Sequence, residues 1–284
     1  MVRGQPGPVL TPSHRAGVLG SPIRHSLSPT LHRAGYAAVG LRDWEYTRHE
    51  VDEGGLAPFV RGLDDSWRGL SLTMPLKVAA FDIAESVTDL ARRAGAINTL
   101  VRTDTGWAAD NTDVHGVTAA LAEAGVADLT SATIVGSGAT ARSALLGLVA
   151  LGASRITVAA RTPEHAEALR DVADVELEIV PLAQWANTGD RAIVSTLPGG
   201  AANAAASEHA GPGLHSASVL DVVYADWPTP LARAAREQGA TIVSGLEMLV
   251  HQAARQFELF TGAAAPVPAM QAAGRAALGH TPDA

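Results

Sequence analysis

Residues 132–151 read ATIVGSGATARSALLGLVAL, and this stretch decides the fold. A short apolar run leads into Gly136, Ser137, Gly138, Ala139, Thr140 and Ala141, a GxGxxA turn, and an apolar helical pattern follows it. Each small residue has a task in a strand-turn-helix that receives a pyrophosphate. The first glycine permits the tight turn and the second lets backbone N–H groups approach the phosphates. Ala141 lets the helix pack on the strand, while the helix N-terminus offers unpaired donors and the positive end of its dipole. A glycine-rich turn alone is weak evidence. Here a strand precedes it and another follows the helix, so we read a dinucleotide site.

The charge at the end of that next strand selects the nucleotide. An acid there would bond the ribose 2′-OH of NAD and repel a 2′-phosphate. No acid occurs between Gly136 and Glu164, and the apolar run 156–160 enters Arg161 and Thr162, a planar cation and a hydroxyl suited to phosphate oxygens. NADP is the expected cofactor.

Working outward, apolar strand candidates recur at 133–136, 156–160, 177–180, 192–196, 219–223 and 241–244, separated by helical patterns. A shorter series precedes them, with strands at 17–19, 44–48 and 69–73 and helices at 29–39 and 55–63. Alternation of this kind predicts an α/β chain of mainly parallel sheets. We expect an N-terminal α/β substrate domain of residues 1–114, completed by returning C-terminal helices in 247–284, and a Rossmann-like nucleotide domain of 115–246. A long amphipathic helix is expected at 246–260 and a last one ending near Leu278, with a disordered tail from Gly279. Hinges near residue 114 and Gly245 would close the cleft between domains.

Composition narrows the function. The chain has 284 residues, 47% hydrophobic, with 21 basic against 29 acidic side chains, a net charge of −8. Lacking a dense basic block, it should bind no nucleic acid. No stretch approaches the ~18 apolar residues of a membrane span and the proline-broken amino terminus has no apolar core, so a cytoplasmic protein is expected. Zero cysteines exclude disulfides and thiolate chemistry, and ten scattered histidines suggest no metal site. Small molecules are the expected partners, for a monomer or homodimer.

Three amino-terminal segments carry chemistry. Ser26 and Ser28 lie between Pro22 and Pro29 in a stiffened loop, where they could face a polar ligand; Ser28 reads equally well as a helix N-cap. Lys77 falls in the first helical turn after Thr73 and Pro75. A cation there opposes the helix dipole, favouring the neutral amine that proton exchange with an alcohol needs. An exposed lysine lying along the surface is as common in such a position. Residues 96–113 read as a hairpin folded about Asp104 and Thr105, with Gly106 in a left-handed position. Such a fold pairs Asn98 with Asn111 and returns Asp113 to the same end, although Asn111 and Asp113 are equally suited to capping the next helix.

Together these residues resemble the shikimate dehydrogenase family, from about Ala16 to Gly262. A GxPxxHSxSPxxH signature appears as Gly20, Pro22, His25, Ser26, Ser28, Pro29 and His32. The (S/N)xTxPxK segment appears as Ser71, Thr73, Pro75 and Lys77, followed by Gly95, Ala96, Asn98 and Thr99, then by DNTDxxG at Asp110 to Asp113 and Gly116. Asp221, Val223, Tyr224, Thr229, Pro230 and Leu231 look like a later DxVYxPxxTPL stretch. Gly245, Leu246, Met248, Leu249 and Gln252 look like its GLxMLxxQA helix. The resemblance implies reversible NADPH-dependent reduction of 3-dehydroshikimate to shikimate, with Lys77 and Asp113 serving the reacting hydroxyl. It further implies Ser26 and Ser28 at the carboxylate, and Thr73, Asn98, Tyr224 and Gln252 around the remaining polar edge. Gly136 to Ala141, Arg161, Thr162, Thr196, Gly245 and Met248 would belong to the cofactor. Met248 and Gln252 lie i,i+4, so one helix face can touch both ligands. Ala160 and His165 depart from the family pattern beside the 2′-phosphate position, which implies a softer NADP preference than the family's, and Asp226 and residues 195–198 depart on the nicotinamide side. Competing readings are a quinate or aminoshikimate dehydrogenase, and a catalytically silent shikimate sensor.

Overall fold

The apolar runs become strands of two separate six-stranded sheets in the computed structural model, which describes residues 13–279. The expectations for the extreme amino terminus and for the tail beyond Gly279 fall outside the described residues. The first lobe begins β1 (His14–Gly20), α1 (Ser28–Val39), β2 (Trp44–Glu50), α2 (Glu53–Arg61), β3 (Trp67–Leu72). It continues through α3 (Leu76–Ala79), β4 (Ser86–Val87), α4 (Asp89–Ala94), β5 (Thr99–Arg102) and β6 (Trp107–Asp110). Its strand order is β2-β1-β3-β5-β6-β4, with β1, β2 and β3 parallel and β5 inserted antiparallel between β3 and β6. In the hairpin, Thr99 faces Asp110 and Leu100 faces Ala109, so Asn98 and Asn111 share its open end as expected.

Gly106 departs from expectation, because it is not among the positive-φ glycines. The turn is closed instead by hydrogen bonds, Thr103 N to Gly106 O at 3.0 Å and Gly106 N to Thr103 Oγ1 at 2.9 Å. Beside Gly106 the Glu85 side chain comes so close that a Cβ would overlap it. The two-residue β4 and six-residue α4 were not foreseen; such short pieces carry no readable period.

After α5 (Asp113–Glu123) the second lobe runs β7 (Ser131–Val135), α6 (Ala139–Ala150), β8 (Arg155–Ala160), α7 (Pro163–Ala166), β9 (Glu176–Pro181), β10 (Ala192–Ser195). It is completed by α8 (Ala201–Ser207), β11 (Ser218–Asp221), α9 (Pro230–Glu237) and β12 (Thr241–Ser244). All six strands are parallel in the order β9-β8-β7-β10-β11-β12, the doubly wound arrangement in which the order of strand addition reverses between β7 and β10. Strands such as β7 and β8 are buried on both faces, which is why they read as continuous apolar runs rather than alternating ones. Ligands of such sheets bind outside the carboxyl ends at the reversal, and the Gly136 turn and Thr196 meet there.

Two helices tie the lobes together. The 17-residue α10 (Gly245–Thr261) starts at the end of β12 and runs back to the first lobe, where Phe257 and Phe260 join Ala16, Val18, Tyr36 and Tyr46 in one core. Then α11 (Val267–Leu278) packs Met270 against Leu31 of α1 and Val250 of α10. Crossing the other way, α5 lies against α10 so closely that a Cβ on Gly116 would sit 2.7 Å from the Met248 carbonyl.

Candidate active site

Lys77 follows β3 on α3, a helix of only four residues, so the dipole effect expected from its position has little length of helix behind it. Geometry gives Lys77 its partner instead. Ile97 N donates to the Lys77 carbonyl at 2.8 Å, anchoring α3 to the segment that precedes the hairpin. The Nζ then reaches Asp113 Oδ2 at 2.5 Å, with the two side chains 24% and 12% exposed. Met74, after the strand, lies in a turn rather than in the extended conformation that a following proline favours, and its bond to Pro75 is cis.

The capping alternative for Asp113 fails because Asn111 does that work. Asn111 Oδ1 accepts the N–H groups of Asp113 and Val114 at 3.0 and 3.4 Å, and its amide donates to the Ala96 carbonyl at 2.9 Å. The Asp113 carboxylate is thereby free to take Asn98 Nδ2 at 2.8 Å on Oδ1, leaving Oδ2 for the lysine. Asn98 is oriented in turn: Thr112 N and Thr99 Oγ1 donate to its Oδ1 at 2.8 and 2.7 Å, so its NH₂ must face Asp113 and Gln252. Ser28 is not an N-cap either. It is the first residue of α1, and its N–H donates to Ser26 Oγ at 3.3 Å.

A cleft of about 320 Å³ lies above this pair. Ser26, Ser28, Thr73, Lys77, Asn98, Asp113, Tyr224 and Gln252 all line it, as do Thr140, Gly245 and Met248 from the nucleotide side. Gly136, Ser137, Gly138, Ala139, Ala141, Arg161, Thr162 and Thr196 lie outside that lining, around the carboxyl ends of β7, β8 and β10. Burial pushes the Tyr224 phenol above its ordinary range. Among the described residues, no cluster of three His, Asp or Glu side chains could hold a metal ion. None of the helices there is long and apolar enough to cross a membrane.

The nucleotide turn fits the group its sequence suggested. Gly136 has φ +108°, and a Cβ there would meet Thr196 Oγ1 at 2.6 Å. A Cβ on Gly138 would meet nothing within 4 Å, so open space lies before the N-terminus of the 12-residue α6, which has neither a side-chain cap nor an acid in its first turn. Backbone donors are free to meet an anion.

Sequence reasoning gave no role to Gln256, Ser71 or Arg48. Gln256 is 1% exposed and donates to the Asn98 carbonyl at 3.1 Å and Thr99 Oγ1 at 2.9 Å, while accepting from Ser71 Oγ at 2.7 Å. Its i,i+4 spacing from Gln252 was the available signal. Arg48, on β2, donates to the carbonyls of Arg24 and Ser26 at 3.0 and 2.9 Å and so fixes the serine loop. Nothing in a strand arginine announces that.

Comparison with known proteins agrees across nearly the whole chain. Residues 18–100 match the family described as shikimate dehydrogenase substrate binding domain, and residues 245–273 match the shikimate 5′-dehydrogenase C-terminal domain. Residues 131–224 match NADP oxidoreductase coenzyme F420-dependent, a likeness confined to the nucleotide lobe. A shikimate dehydrogenase (NADP(+)) of Anaeromyxobacter sp. is 40% identical, over 90% of this chain and 94% of its own length. The crystal structure of Mycobacterium tuberculosis shikimate dehydrogenase is 44% identical with a TM-score of 0.84, covering 93% of this chain and 99% of that one. Shikimate 5-dehydrogenase from Thermus thermophilus, solved with NADP(H) and shikimate, is 30% identical with a TM-score of 0.84, covering 93% of this chain and all of that one. Given relatives this similar over nearly their full length, and a cleft that gathers a lysine-carboxylate pair beside a dinucleotide turn, the chain belongs to the shikimate dehydrogenase family.

Proposed function

We propose that this chain catalyses the reversible NADPH-dependent reduction of 3-dehydroshikimate to shikimate, with residues 1–114 and 247–284 binding substrate and 115–246 binding cofactor. The observation that carries this is the Lys77–Asp113 contact in a cleft that also reaches Thr140 of the nucleotide turn. The Gly136 turn would hold NADPH, with Arg161 and Thr162 at its 2′-phosphate, and the cofactor so held would supply hydride-transfer chemistry to the substrate carbonyl. The protein's task is then to hold both partners in register and supply one proton to the developing alkoxide. Lys77 Nζ gives that proton and takes it back in the reverse direction; Asp113 holds the ammonium in place. Hydroxyls of Ser26 and Ser28 suit the carboxylate, and Thr73, Asn98, Tyr224 and Gln252 the ring hydroxyls. Gly245 and Met248 would pack against the nicotinamide. A cytoplasmic protein acting as monomer or homodimer belongs to the same reading.

Purified protein assayed with shikimate, quinate and aminoshikimate, each against NADP and NAD, tests it. Turnover should be fastest for shikimate with NADP. Faster quinate or aminoshikimate turnover would replace the substrate assignment, and tight shikimate binding without turnover of any pair would make the protein a sensor.

A further inference from the structure

Asp221 is the last residue of β11, fully buried, and no cation is among its bonded partners. Withdrawing a carboxylate from water costs several kcal/mol unless its lone pairs are filled. Three donors fill them. Thr229 Oγ1 and Asn203 Nδ2 reach Oδ2 at 2.6 and 2.9 Å, and Val223 N reaches Oδ1 at 3.3 Å. Burial alone pushes the carboxyl pKa up, and those three bonds push the other way.

Two of the donors, Val223 and Thr229, come from opposite ends of one loop. Residues 222–229 leave β11 at Asp221 and return to α9 at Thr229, whose hydroxyl also caps α9 by accepting from Ala232 N at 3.0 Å. Asn203, on α8, meanwhile takes Leu231 N at 2.9 Å. One carboxylate therefore staples the base of the loop, whose outer part holds Asp226 at φ +52°. From the loop's first half, Val222 and Tyr224 enter the cleft. Tyr224 thus joins Thr140 as a polar contribution of the nucleotide lobe to a pocket built mostly by the other lobe.

We infer that Asp221 is a positioning residue for Tyr224: through Thr229, Asn203 and Val223 it sets where the phenol meets the substrate, without touching substrate itself. The inference rests on the proposed shikimate-binding role of Tyr224. A double-mutant cycle separates positioning from plain support of the fold. Asp221→Asn keeps the shape but puts a donor where one of the three donors must be accepted. It should raise KM for shikimate about tenfold, the order expected from one misplaced charge-assisted hydrogen bond. KM for NADP should stay within about twofold. Tyr224→Phe should raise KM for shikimate similarly, and adding Asp221→Asn to it should change KM no further. Should Asp221→Asn not fold, Thr229→Val, which removes one donor and keeps the volume, is read the same way. Equal fold-effects in the Tyr and Phe backgrounds overturn the inference, as does an unchanged KM in folded Asp221→Asn or in Tyr224→Phe. Wild-type protein without shikimate turnover would instead sink the functional reading beneath it.

Discussion

Replacing Lys77 by Met keeps most of the side chain's volume and removes its charge and its proton. Two effects follow, and their sizes differ enough to be separated. On stability, the change leaves Asp113 with its bond from Asn98 at 2.8 Å but without the ammonium at 2.5 Å. Stranding a fully buried charge costs about 3–5 kcal/mol. With the lysine 24% and the aspartate 12% exposed, and one donor retained, water and Asn98 should reduce that to about 1–2 kcal/mol. For a chain of this size that is a fall in Tm of roughly 2–8 °C, leaving the protein folded at 25 °C. On chemistry, losing a positioned general acid–base group costs about 10²–10⁴ in turnover. Affinity for shikimate should fall less than about tenfold, since the other polar side chains lining the cleft remain. Steady-state kcat with saturating NADP, paired with calorimetric Kd for shikimate, reads the two apart. Asp113→Asn should lose less turnover than Lys77→Met, because the lysine keeps its proton to give. A Lys77→Met kcat within about threefold of wild type, or a loss in kcat no greater than the loss in affinity, would refute the assignment of Lys77.

Three further outcomes follow from the geometry. Arg161→Ser should raise KM for NADP by about tenfold or more and leave KM for NAD unchanged; a parallel rise in both would mean that Arg161 does not meet the 2′-phosphate. Gly245→Ala would set a Cβ 2.2 Å from the Val222 carbonyl, so the loop that carries Tyr224 must move. KM for both ligands should rise by about tenfold, and unchanged kinetics would show that the loop's place is unimportant. Burial lowers the His32 imidazole to about 3, so the folded state refuses a proton that the unfolded chain accepts below about 6.5. Stability from this group is complete above that pH and is lost as pH falls toward 3, at about 1.4 kcal/mol per unit. His32→Phe, which can keep the stacking on Tyr46 now seen at 4.1 Å between ring centroids, should flatten urea stability between pH 7 and pH 4. Equal slopes in the two proteins would contradict this.

What the sequence made legible was whatever local chemistry dictates. Gly136 to Ala141 could be read because each residue's task lies within the strand, turn and helix it joins. Asn98 could be placed beside Asn111 because folding a hairpin about Asp104 and Thr105 determines every later pair. The contact between Lys77 and Asp113 could not be read that way. It depends on β5 inserting antiparallel beside β3, which brings the segment after β3 to the segment after β6, and only family resemblance supplied that step. Lys77 itself was found for a partly wrong reason, since Pro75 announces a helix start but nothing in the sequence announces its end after four residues. Gln256 was missed because an amide on a mostly buried helix looks like any other polar residue there. Its partner, the Asn98 carbonyl, is 158 residues away.

The same topology says which parts of the site can move. The chain passes between lobes at Asp113, the start of α5, and at Gly245, the start of α10, and the two helices are packed face to face. Asp113 and Gln252 lie on these helices, and Asn98 bonds to both, so a rotation of the lobes about the crossings displaces this cluster least. Tyr224 and Thr140 reach the cleft from the other lobe, farther from the crossings. Arg142, one residue past the nucleotide turn, limits that motion: its guanidinium donates to the Ala94 carbonyl at 2.9 Å and the Arg93 carbonyl at 3.4 Å, at the carboxyl end of α4. Asn111 adds a bond to Ser143 of α6 at 3.3 Å. Closure in this chain is therefore not a swing on loose linkers. Any closure must work against these bonds between α4, α6 and the Asn111 turn.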